Sequence, residues 1–135
     1  MAMRTRPVSK YLHQNYLKKA EEFLDSAKTA YSKNQLNSSV ANSVHAAISG
    51  SDALLVFFKE VRSAGETHED VITLLKTLGL DPQEVNSKIK QLQRLLQIKN
   101  IAEYEEKLMS EQDAENCVKD AERFLDWVKQ KLSIS

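Results

Sequence analysis

Residues 36–61 read LNSSVANSVHAAISGSDALLVFFKEV, and this stretch decides the fold. Val40, Val44, Ile48, Leu55 and Phe58 recur at steps of three, four and seven, so a helix places them on one face. Between them stand Ser38, Ser39, Ala41, Ser43, Ala46, Ala47, Ser49, Gly50, Ser51 and Ala53. Side chains this small let neighbouring helices come close, which predicts the tightly packed centre of a bundle. Gly50 costs a mid-helix position about 1 kcal/mol against alanine. The expected return is the close approach of a neighbouring backbone.

The same periodicity continues on both sides. Upstream, Leu17, Ala20, Leu24, Ala27 and Tyr31 mark a helix from about Lys10 to Tyr31, closed by a polar Ser32-Lys33-Asn34 link. Downstream, a loop over 62–66 leads to Thr67, which can cap a short apolar helix with Val71, Ile72, Leu74, Leu75 and Leu78, ended by Gly79. Asp81-Pro82-Gln83-Glu84 combines a cap residue, a first-turn proline and a glutamate at the third position, and opens a fourth helix to about Leu108. Ser110-Glu111-Gln112-Asp113 caps a last helix to about Leu132, with Ala114, Cys117, Ala121, Phe124 and Val128 inward and Trp127 spaced with them. No stretch reads as a strand. The expectation is an all-α, four- to five-helix up-and-down bundle: a single domain over 10–132 behind a flexible basic N-terminus, 1–9.

At 135 residues, 41% hydrophobic and 28% charged, the chain can bury a core without staples. No apolar run approaches the ~20 residues of a bilayer span, so no membrane role is expected. Cys117 is the single cysteine and lies on an apolar stripe, which predicts a core thiol, no metal site, and a reducing, cytoplasmic setting.

The formal net charge is zero, but the charges are segregated. Residues 1–19 carry Arg4, Arg6, Lys10, Lys18 and Lys19 and no acid. Residues 85–102 are again acid-free and carry Lys88, Lys90, Arg94 and Lys99, and the segment after them is acidic. Such stretches are either solvated helix faces or phosphate contacts. The fourth helix also breaks its own pattern. Val85, Ile89, Leu92 and Leu96 form a stripe that runs on into Lys99, Asn100 and Glu103, while Ile98, Ile101 and Leu108 fall on the opposite side. Either the helix exchanges its faces near Lys99, or Lys99, Asn100 and Tyr104 line a wet cleft between two copies of the chain.

Two segments together resemble the HEPN family, the higher eukaryotes and prokaryotes nucleotide-binding domains. One is His45-Ala46-Ala47-Ile48-Ser49-Gly50-Ser51-Asp52-Ala53-Leu54-Leu55, with His45 and Asp52 two turns apart on one flank. The other is Ile98-Lys99-Asn100-Ile101-Ala102-Glu103-Tyr104, followed by Ala121-Glu122-Arg123-Phe124-Leu125. The resemblance spans about residues 10–132 and implies a helical bundle, usually a homodimer, acting on RNA or nucleotide, often beside a nucleotidyltransferase or within a toxin–antitoxin pair. It implies no cofactor.

Active members carry an arginine followed, after four to six residues, by a histidine, paired across the dimer to cleave RNA. Here Lys99 stands about where the arginine would be, and Tyr104 is the nearest stand-in for the histidine. Lysine lacks the arginine fork, and a tyrosine, with a reference pKa of about 10, shuttles protons poorly near pH 7. Taking Arg94 as the arginine puts no histidine in the window either. Arg62 and His68 have a fitting spacing but fall around a loop, where the sequence makes sense as a helix start. The resemblance therefore implies RNA or nucleotide binding without efficient cleavage, Lys88, Lys90, Arg94 and Lys99 supplying phosphate contacts. The alternatives are a ribonuclease using Lys99, Asn100 and Tyr104, or a protein-binding helical module using Ile98, Ile101 and Leu108.

Overall fold

A computed structural model describes residues 4–64 and 69–133. A short strand, β1 (Thr5–Pro7), leads through a 3₁₀ turn (Lys10–Leu12) into α1 (His13–Ser32) and then α2 (Leu36–Lys59). A second strand, β2 (Val61–Ser63), precedes α3 (Glu69–Leu75), α4 (Pro82–Tyr104) and α5 (Glu111–Ser133). The all-α bundle is as expected, with one addition. Residues 5–7, expected to be flexible, pair antiparallel with 61–63, in the register Thr5↔Ser63, Arg6↔Arg62, Pro7↔Val61. Val8 and Ala64 extend the pairing by donating to the carbonyls of Glu60 and Arg4.

The central helix is α2. Every residue from Ser49 to Val56 is buried, as are Ser39, Val40, Ser43, Val44, Ala46 and Ala47. Its serines satisfy themselves locally: Ser43 and Ser51 donate to the carbonyls one turn back, and Ser39 donates across to the Ala27 carbonyl of α1 at 2.9 Å. These bonds let small polar side chains sit in the core without the cost of an unpaired hydroxyl. On length and composition α2 is apolar enough to cross a bilayer, contrary to the sequence count. Its most apolar window is 72% buried inside the bundle, so that hydrophobicity is used in packing.

Cross-helix pairs give the directions. Lys28 meets Glu122 and Glu21 meets Lys129, while Glu84 meets Lys131 and Arg94 meets Asp120. Thus α1 and α4 both run against α5, and Ser39 with Ala27 sets α2 against α1. Gly50 of α2 faces α5: a methyl group built there would lie 3.4 Å from Leu125 and 3.5 Å from Val128. The close approach is real, but it is to side chains rather than to a backbone.

Several helix ends differ from expectation. Asp81 occupies the N-cap of α4 without a side-chain cap bond. Glu84, expected to complete that cap, instead accepts from the Trp127 indole and pairs with Lys131 at 2.6 Å. By contrast Ser110 and Asp113 form a reciprocal box, each backbone N–H donating to the other side chain at 3.0 Å. The short helix was expected to run through Leu78 to Gly79, but α3 stops at Leu75, and Gly79, at φ +75, lies in the segment after it. The Thr67 cap lies outside the described residues. Phe58, expected inward, is 37% exposed, two residues before the left-handed Glu60 that ends α2.

Candidate nucleic-acid interface

The broken stripe of α4 resolves by sliding. Val85, Ile89, Leu92 and Leu95 are buried. Beyond them Leu96, Ile98, Ile101 and Ala102 take over as the residues packed against the core. The inward line has moved around the helix, which is the face exchange foreseen as one of two readings. Lys99, left near the old line, keeps only 15% of its side chain exposed and places its ammonium 2.9 Å from Glu103. That i,i+4 pair answers the polarity problem locally. Asn100 and Tyr104, one turn apart, face solvent, and Tyr104 is 79% exposed. The three residues therefore do not converge within one protomer. Leu108 follows α4 rather than ending it, and is 75% exposed beside the helix terminus.

The four cations of α4 do not form a single patch either. At 100° per residue Lys88 and Lys99 share one side, and Lys90 and Arg94 another. Arg94 is forked onto Asp120 of α5, with bonds of 3.0 and 2.9 Å. Lys88 lines a groove of about 560 Å³ with Glu84, Arg123, Asp126, Trp127 and Gln130. Lys90 is exposed.

The signature residues of α2 have separate environments. His45 is half-buried, its ring 5.3 Å from that of Phe23 on α1. Asp52 is 4% exposed and paired with Arg62 Nε at 3.3 Å. Burial pushes its carboxyl up to about 6, against the pull of Arg62 and, more weakly, of Arg6 and Lys19. The Arg62 guanidinium also lies 5.6 Å over the Tyr16 ring, which Lys19 approaches at the same distance. Nearby, Lys10 sits 4.5 Å over Phe57, whose ring makes a T-shaped contact with that of His13 at 4.8 Å between centroids.

This second cluster, at the start of α1 and the end of α2, escaped the sequence reading. The acid-free N-terminus was its one visible signal. By spacing alone Arg62 matches His68, which lies outside the described residues. Cys117 is buried, and burial, with Asp120 and Asp113 nearby, pushes its thiol up to about 12, as fits a core position rather than a nucleophile.

Against known families, the model for the HEPN domain matches residues 13–131, nearly the whole chain. Among curated proteins nothing matches.

Proposed function

The chain belongs to the HEPN domain family, and we propose that it binds RNA or nucleotide without cleaving it efficiently. On this reading it is a homodimeric accessory of a toxin–antitoxin or nucleotidyltransferase-linked system. Family membership supports the nucleotide- or RNA-related role. One observation carries the non-cleaving half: Lys99, in the place implied for a catalytic arginine, is held by Glu103, and the position implied for histidine is the exposed Tyr104. RNA hydrolysis needs a proton-transfer group near neutral pH beside a cation that can hold the scissile phosphate. A lysine already paired with Glu103 and an outward tyrosine supply neither within one protomer.

The homodimer has its own support. Tyr104 and Leu108 expose two large side chains together at the end of α4. A second copy packed there would bury them and bring two Lys99-to-Tyr104 segments together. The decisive assay incubates purified protein with mixed RNAs, with Lys99→Ala and Tyr104→Phe run alongside. Intact RNA is expected throughout. Cleavage lost in either variant would favour the ribonuclease with a variant site. Sedimentation should show a dimer that Leu108→Glu splits, and a monomer at all concentrations would remove the homodimer from the proposal.

A further inference from the structure

We propose that the face built from β1, β2, the 3₁₀ turn and the start of α1 binds single-stranded RNA, with Arg6, Lys19 and Arg62 holding successive phosphates. The inference rests on the RNA-binding reading and assigns it a surface.

The ribbon places Arg6 directly opposite Arg62. Like charges in that position repel, and the one buried acid beside them, Asp52, offsets part of that charge. Arg62 is fixed rather than loose: buried Asp52 holds it at Nε, and the Tyr16 ring lies against its guanidinium. With 39% of its side chain exposed, it still presents donor edges to solvent. The buried carboxylate pairs with Arg62, while Arg6 and Lys19 act on it from farther off and stand exposed, so a positive surplus remains for an external anion.

The shape of the surplus favours a strand over a lone phosphate. Lys10, His13, Tyr16 and Lys19 follow at steps of three along one flank, spanning roughly 14 Å. Lysines close both ends of that line and two rings fill its middle, and Phe57 supports its first half through Lys10 and His13. Tyr11 adds a ring that is 75% exposed. Cations beside an exposed aromatic face are what an unpaired strand needs: the cations track its backbone, and a ring such as Tyr11 stacks a base. A duplex keeps its base faces hidden and could use only the charges.

Fluorescence anisotropy with a labelled single-stranded oligouridylate tests this. Three charge-matched doubles are compared with wild type: Arg6→Gln/Lys19→Gln, Lys88→Gln/Lys90→Gln on α4, and Lys28→Gln/Lys33→Gln toward the far end of α1. Arg6 and Lys19 are exposed, so their replacement leaves the core intact; Lys19→Gln alone guards against any effect on the ribbon. The first double should weaken binding at least about tenfold and reduce the slope of log affinity on log salt by about 1.4, or 0.7 per lost phosphate contact. The Lys28/Lys33 double should bind nearly as wild type. If wild type binds but all doubles weaken equally, or only the α4 double does, RNA binding stands and this location falls. If wild type does not bind at all, the RNA reading fails and the site with it. Equal affinity for a duplex, or displacement by uridine monophosphate at matched phosphate concentration, would overturn the single-stranded assignment.

Discussion

Asp52 is the residue on which the electrostatics of the chain turn. Its folded carboxyl sits at about 6 against 3.8 in the reference state, chiefly because it is buried. A raised carboxyl means the folded state holds its proton longer than the unfolded state. Stability from this group is therefore greatest below about pH 4, falls as pH rises toward 6, and is level above that. The span corresponds to a loss on the order of 3 kcal/mol. In Asp52→Asn this component should vanish, so the variant should gain on wild type as pH rises from 4 to 7 in denaturant titrations; a constant difference would contradict the assignment. Cys117 gives a second residue-scale test. A buried thiol pushed up to about 12 stays protonated at neutral pH and out of reach. It should label with maleimide only in denaturant, and rapid labelling of the native protein would be the contrary result.

At the scale of elements, helices with a strong internal pattern were legible and those shaped by partners were not. The inward set of α5, from Ala114 to Val128, is buried as its spacing predicted. The Ser110–Asp113 box is local, and so it was readable; Ser110→Ala should cost about 1 kcal/mol, seen as a lower melting temperature. Glu84 shows the limit: a sequence that reads as a cap loses its glutamate to Trp127 and Lys131, 43 and 47 residues away. The β1–β2 ribbon was missed because three-residue strands carry no alternation to detect, and their partners lie far apart in sequence. Gly50 offers a test of α2 packing. The contacts awaiting a methyl group, 3.4 Å and longer, are ordinary. Gly50→Ala should therefore keep the fold and stabilise it by up to about 1 kcal/mol, whereas a clear loss of stability would mean α5 lies closer than described.

Across the whole molecule the neutral total charge conceals a separation that the fold makes sharper. The cations of α4 are split between two sides, and Arg94 and Lys99 are engaged by Asp120 and Glu103. Those near the N-terminus are gathered, by a ribbon and a helix start, around a single buried acid. The candidate site read from sequence alone rested on α4, where residues adjacent in the chain were assumed to share a surface. Helix rotation separates them, and only a second copy could reunite them. The N-terminal cluster joins residues 6, 16, 19, 52 and 62, a set that no local motif announces.

Binding of labelled RNA to the purified protein across a salt series, with the RNA recovered and sized afterwards, bears most directly on the central claim. Affinity should fall steeply as salt rises while the strand stays whole. No binding at low salt, or shortened RNA whose production stops in Lys99→Ala, would contradict it.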